Sequence, residues 1–138
     1  MKHFFLLLVV LAPVFSFSQK FIGLNEEEIN YHIKTTLKNE INDITRTYSS
    51  DGTLIIGWNN FKLDYFQALY FDKKGIVQVE SKKPDSNDIL NTMIKVYDKN
   101  CIKISSTEWK YYLRGAIYRI RLQYVDEYGY YIYTSLWD

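Results

Sequence analysis

The sequence contains few of the residues that most often build catalytic and metal sites. Its 138 residues include only two histidines and one cysteine, too few for a His-rich metal site or a metal-binding pair of cysteines. It also lacks the glycine-rich loop that cradles phosphates and the Gly-x-Ser-x-Gly turn of many serine hydrolases. We therefore expect no catalytic residue, no metal and no cofactor. A small hydrolase that works without histidine is the remaining enzymatic alternative.

An excess of charge of one sign is also missing. Seventeen Lys and Arg residues are balanced by sixteen Asp and Glu residues, which gives a formal net charge of +1. That balance argues against a strongly basic nucleic-acid-binding protein. With only six glycines, two prolines and 47% hydrophobic residues, the composition also differs from that of disordered or collagen-like chains.

The N-terminus has the pattern of a cleaved secretory signal peptide. Lys2 precedes a 12-residue apolar run that ends at Phe15, and Ser16-Phe-Ser-Gln19 follows. The run is shorter than the roughly 20 residues of a membrane-spanning helix, and its small flanking residues suit cleavage before the glutamine. We therefore predict a signal peptide at 1–18 and one α+β domain at 19–138, exported to the periplasm or secreted.

Cleavage changes what the remaining residues can do. It removes His3, so that His32 is the only histidine of the mature chain. The lone Cys101 cannot form an internal disulfide even in an oxidising compartment, and we expect it to be a small buried residue. Because no cysteine lies near the cleavage site, we expect neither a lipid anchor nor any other membrane anchor on the mature protein.

Two segments carry the pattern of capped amphipathic helices. Asn25 followed three residues later by Glu28 is a capping box, and apolar residues then recur at intervals of four as far as Ile41. The second helix is predicted to begin within 84–88 and to end near Asn100.

Four of the six glycines end short polar segments between apolar runs, at positions 52, 75, 115 and 129. Each is predicted to be the left-handed residue of a β-hairpin turn. The second of these turns would pair Phe71 with Val77 and Leu69 with Val79. Glu80 would then lie on the opposite face of that hairpin.

Together these elements predict an α+β fold. Two helices would pack on antiparallel hairpins, and the chain would end in a three-stranded antiparallel meander. The stretches 24–81 and 85–138 each open with a capped helix and continue in antiparallel strands, which makes them candidates for a quasi-repeat. No linker separates them, so we expect a single domain.

The C-terminal meander concentrates aromatic and arginine residues on one predicted face. Apolar and polar residues alternate along 116–125 and along the last strand, and the expected register places Arg119 beside both Trp109 and Trp137. The residues that share this side of the meander form the predicted binding face: Trp109, Tyr111, Arg119, Arg121, Tyr131, Tyr133 and Trp137.

This predicted face supports several interpretations. Trp, Tyr and Arg are enriched at interface hot spots, so we expect an exported interaction protein with an envelope or extracellular protein as its partner. Flat aromatic rings beside guanidinium donors also suit a carbohydrate or another small ligand. A nucleic-acid partner is not expected of a neutral exported chain. A purely structural interpretation is that Arg119 makes cation–π contacts inside the sheet, while residues 19–81 cover the row.

Some segments resemble known proteins. The signal ending in Phe-Ser-Gln19, the segment Leu-Tyr-Phe-Asp-Lys-Lys-Gly-Ile-Val at 69–77 and the Thr-Glu-Trp109 entry to a Tyr-rich hairpin look like small, uncharacterised exported proteins of Gram-negative bacteria.

A second resemblance covers residues 23–81. The segment Gly-Leu-Asn-Glu-Glu-Glu-Ile29, followed by a Tyr-Phe-Asp-x-x-Gly hairpin, is similar to outer-membrane assembly lipoprotein and β-lactamase-inhibitor-like domains. The resemblance implies a periplasmic helix-plus-antiparallel-sheet module that binds proteins. The chain departs from that pattern because it lacks the lipidated cysteine and has Leu37-Lys-Asn-Glu40 where a Leu-Gly-x-Pro ending is expected.

Overall fold

The computed structural model describes residues 21–137, and the predicted signal peptide at 1–18 lies outside them. The described chain forms two helices and eight strands. In order they are α1 (Glu26–Lys34), β1 (Ile41–Tyr48), β2 (Leu54–Asn60), β3 (Tyr65–Phe71), β4 (Val77–Pro84), α2 (Asn87–Asn100), β5 (Ile102–Ser105), β6 (Glu108–Leu113), β7 (Ala116–Val125) and β8 (Gly129–Leu136).

All eight strands belong to one antiparallel sheet with the order β1-β2-β3-β4-β8-β7-β6-β5. Six of the seven pairings join strands that follow each other in the chain. The seventh, which we call the central seam, joins β4 to β8 and places Ser81 opposite Tyr133. Each half of the chain thus supplies one helix and a four-stranded meander, and the last strands of the two meanders meet in the middle of the sheet.

The predicted α+β fold of two helices packed on separate hairpins is wrong. Strands make up 51% of the structure and helices 20%, and the hairpins join edge to edge in a single sheet. The C-terminal meander has four strands rather than three, because Ile102–Ser105 pairs with β6. Glycine turns predicted four of the six hairpins, whereas the turns at 61–64 and 106–107 have no glycine. The central seam joins strands far apart in the sequence and leaves no local signal.

Both predicted helix starts are confirmed. The backbone N–H of Glu28 donates to Oδ1 of Asn25 over 2.9 Å, and the N–H of Asn25 donates to Oε2 of Glu28 over 2.8 Å. The second helix is capped by Ser86, whose Oγ accepts a backbone N–H bond of 3.2 Å, and it ends at Asn100. The first helix is shorter than predicted, because it ends at Lys34 and its apolar pattern continues into a turn and β1.

The four predicted glycine turns are confirmed in the backbone. Gly52, Gly75, Gly115 and Gly129 have φ angles of 84°, 78°, 79° and 89°, a region that L-residues with a side chain seldom adopt. These turns explain why each meander folds back on itself where the sequence predicts.

The register after the second turn is only partly as predicted. Phe71 pairs with Val77, but a bulge follows, so that Val79 pairs with Tyr70 instead of Leu69. Glu80 is therefore opposite Leu69 and lies on the helix side, not on the opposite face. The single extra residue reverses the side that the following residues face.

Both helices pack against the same face of the sheet. Ile29 of α1 contacts a cluster that includes Trp58, and Tyr97 of α2 packs in a second cluster with Trp109. The strand register places one row of residues across this face: Ile56, Leu69, Glu80, Thr134, Ile120 and Trp109. Within residues 21–137, no helix has the length and apolar content needed to cross a bilayer.

Candidate functional site

The sheet surface opposite the two helices, which we call the open face, has two different halves. One row across it contains Gly57, Ala68, Ser81, Tyr133, Arg121 and Glu108; the next contains Ile55, Tyr70, Val79, Ser135, Arg119 and Lys110. The N-terminal meander contributes mostly small and apolar residues to these rows, and the C-terminal meander contributes all of their charged residues.

The centre of the open face is built from small residues that larger neighbours cover. Ala68 and Ser81 are 5% and 1% exposed, although they face away from both helices. At Gly57, a Cβ atom would lie 2.8 Å from Cζ of Phe66, so that ring leans over the glycine. Aromatic side chains of the sheet itself therefore shield the centre of the face.

Two tyrosines follow along β8 on the same face. The rings of Tyr131 and Tyr133 stack with their centroids 6.0 Å apart, and Nζ of Lys83 lies 5.9 Å from the centroid of Tyr131. Burial raises the pKa of both phenols, so their hydroxyls remain protonated hydrogen-bond donors at neutral pH. This pair offers flat apolar surface with polar tips.

The indole of Trp137 is held by two cations. Nζ of Lys110 and the guanidinium carbon of Arg119 each lie 4.3 Å from its ring centroid. Nε of Arg119 is also 3.1 Å from Oε1 of Glu108. Cation–π contacts at exposed sites are worth about 0.5–1 kcal/mol each, so together they fix the position of a large aromatic ring near the end of β8.

The C-terminal half of the open face, together with the adjoining Lys83 of β4, has an excess of positive charge. Four cationic side chains share it with one carboxylate: Lys83, Lys110, Arg119 and Arg121, with Glu108. The carboxylate is engaged by Arg119, whereas Arg121 is exposed opposite Tyr133. A negatively charged ligand would therefore be attracted to this half of the face.

Two residues of the predicted binding face do not belong to it. Trp109 is 0% exposed, lies beneath α2 and donates from Nε1 to Oδ1 of Asp98 over 2.8 Å. Tyr111 packs against the same helix-side cluster. The predicted register was wrong because the turn contains only Arg114 and Gly115, so that Lys110, not Trp109, is opposite Arg119.

The other five predicted residues share the open face. These are Arg119, Arg121, Tyr131, Tyr133 and Trp137. Their register differs from the prediction by two positions, since Arg119 pairs with Ser135. A shift of two residues preserves the face, so the predicted contact between Arg119 and Trp137 occurs as a diagonal one.

Sequence reasoning missed the part of the open face that the N-terminal meander supplies. Phe66, Tyr70 and Lys83 are brought beside Tyr131 and Tyr133 by the central seam. The alternation along β3 separates the two faces of that strand, but only the seam shows which face continues into the C-terminal half. The open face is therefore wider than the C-terminal meander, from whose sequence the binding face was predicted.

A second notable group lies under the helices at the central seam. Glu80 and Lys82 are 1% and 2% exposed, and Oε1 of Glu80 accepts a bond from the N–H of Phe21 over 3.0 Å. Burial raises the pKa of Glu80 and lowers that of Lys82, and the charge of each residue partly offsets the shift of the other. We interpret the pair as a structural element, since the helix side of the sheet encloses it.

Neither a metal site nor a similarity to known proteins indicates a function for the described residues. Among residues 21–137, no cluster of three or more His, Cys, Asp or Glu side chains is arranged to hold a metal ion. Comparison with family models, curated proteins and solved structures gives no match to this chain.

Proposed function

We propose that the protein is a binding protein that recognises an acidic partner protein through its open face. The observation that carries this proposal is the difference in composition and packing between the two faces of the sheet. Both helices pack on one face, and the other presents stacked tyrosines, a tryptophan and four cationic side chains.

The composition of the open face favours a protein as the partner. Tyr, Trp and Arg are the side chains that contribute most at protein interfaces. Here the rings of Tyr131, Tyr133 and Trp137 are already fixed by stacking and by cation–π contacts. Rings that are held in place before binding lose little conformational freedom when a partner arrives.

The charge of the open face favours an acidic partner. The C-terminal half with the adjoining Lys83 carries four cations against one carboxylate, which would accelerate encounter with a negatively charged surface and slow encounter with a basic one. Arg121, which is exposed at the middle of the charged half, is the residue whose charge we expect to matter most.

The proposal can be tested by site-specific photo-crosslinking in the organism that encodes the chain. A photoreactive amino acid replaces Tyr133 on the open face or, as a control, Tyr31, which is 67% exposed on α1. We expect a discrete protein adduct from position 133 only, and an acidic surface on the protein identified in it. Equal adducts from both positions, or none from position 133, would contradict the proposal.

A charge reversal then tests the electrostatic part. Arg121→Glu is expected to weaken binding of the crosslinked protein at least tenfold at low salt and less at high salt. The matched control is Lys95→Glu, the same charge change at an exposed position of α2. Equal weakening by both variants would show that net charge, not the open face, determines the interaction.

A further inference from the structure

A cleft on the helix side of the sheet is built differently from the open face. It lies between the start of α2 and the β7–β8 hairpin and has a volume of about 450 Å³. Three tyrosines line it: Tyr124, Tyr128 and Tyr130, which are 58%, 59% and 44% exposed. Large apolar rings gathered around one concavity are unusual on a protein surface without a ligand.

The rings of the cleft are arranged at different angles. Tyr124 and Tyr130 are directly paired across β7 and β8, with their centroids 5.1 Å apart and their planes at 61°. Tyr128 follows from the hairpin turn, and the buried side chain of Leu90 also contributes to the lining. The cleft therefore offers separate aromatic surfaces rather than one flat stack.

The polar groups of the cleft favour a neutral ligand. Asp85 and Asn87 supply a carboxylate and an amide, and three phenol hydroxyls add donors and acceptors. Lys83 also belongs to the lining, but its Nζ lies 5.9 Å from the ring centroid of Tyr131 on the open face. An anion would meet the carboxylate of Asp85, while the one cation of the lining contacts a ring on the other face of the sheet, which disfavours phosphate or a nucleotide.

We propose that this tyrosine cleft is a binding site for a neutral saccharide of one or two rings. A sugar ring has apolar C–H faces that stack on tyrosine and hydroxyl edges that bond to carboxylates and amides, which is the combination that the cleft presents. Its volume is at the small end of the range for ligand sites. The cleft shares only Lys83 with the open face, and its test does not depend on the proposed function.

The test uses chitobiose, cellobiose and maltose as probes with the purified protein. Saturation-transfer NMR with millimolar sugar should show transfer to the C–H protons of at least one disaccharide. Tyr128→Ala should weaken that binding about three- to tenfold, which corresponds to the loss of one aromatic contact. Because Tyr128 is exposed, its replacement should leave the fold intact, and the melting temperature of the variant checks this.

The control is Tyr31→Ala, which removes a tyrosine of similar exposure from α1. We expect it to bind the sugar as the native chain does. Loss of binding in both variants, or absence of transfer to all three disaccharides, would overturn the proposal. Inorganic phosphate is also tested. If it bound more tightly than the sugars and shifted the Tyr128 resonances, the cleft would be an anion site and the proposal would be overturned.

Discussion

Replacing the buried pair Glu80 and Lys82 by neutral side chains of similar shape is expected to stabilise the protein. Burial moves the pKa of each toward its neutral form, which means that removing water from the two charges costs more than their attraction returns. In the Glu80→Gln/Lys82→Met variant, an oxygen remains to accept the hydrogen bond from Phe21. Side-chain length is also preserved, so no large cavity forms.

The expected gain is about 1–4 kcal/mol at pH 7. For a chain of this size, each kcal/mol corresponds to a rise in melting temperature of about 4 °C. Urea unfolding of the native and double-variant chains measures the difference directly. The single variant Glu80→Gln should instead lose about 3 kcal/mol, because it removes the negative charge that partly offsets the burial of the Lys82 ammonium group.

The pH dependence gives an independent check. The pKa of Glu80 is raised in the folded state above its ordinary value of 4.5, so its contribution to stability is complete below that pH and is lost as the pH rises. Between pH 5 and pH 7 the loss has a maximum slope of about 1.4 kcal/mol per pH unit. The lowered pKa of Lys82 acts on the alkaline side, below its ordinary value of 10.5, and adds little in this interval.

Two results would refute this reasoning. A double variant less stable than the native chain at pH 7 would show that attraction within the pair exceeds its desolvation cost. If the free energy of unfolding of the native chain and of the double variant changed equally between pH 5 and pH 7, Glu80 would not carry the raised pKa.

Three further substitutions test the fold at single positions by urea unfolding. Trp109→Ala should cost about 3–5 kcal/mol, because it empties a fully buried position under α2; a cost below 1 kcal/mol would contradict the burial of Trp109. Asn25→Ala should cost about 1 kcal/mol by removing the α1 cap, and an unchanged stability would argue against the capping box. Gly57→Ala should cost about 1–3 kcal/mol, since its Cβ would lie 2.8 Å from Cζ of Phe66, and Phe66→Leu in the same chain should recover part of that loss.

Local signals predicted the elements of this fold better than their assembly. The caps at Asn25 and Ser86 and the left-handed glycines are set by neighbouring residues, so the sequence alone reveals them. The bulge beside Phe71 and the two-residue turn at Gly115 changed the register, because turn composition does not determine loop length to one residue.

The candidate site was predictable to the extent that strand alternation survives such shifts. Arg119, Tyr133 and Trp137 kept their common face because the register error was two residues. The predicted pairing of Trp109 was wrong by one residue, so Trp109 lies on the opposite side of the sheet from the one predicted. The contributions of Phe66 and of the rest of the N-terminal meander depend on the central seam, which local patterns do not encode.

The central seam also has a consequence for the order in which the chain folds. Each of the other six pairings closes over a short connection, whereas β4 and β8 meet only after α2 and three strands have been placed between them. Loop-closure entropy makes such a long-range contact slow to form. Each meander can therefore assemble separately, and the joining of the halves becomes the late step. Until it occurs, both β4 and β8 are unpaired edges, and a newly made chain is at its greatest risk of pairing with another copy of itself.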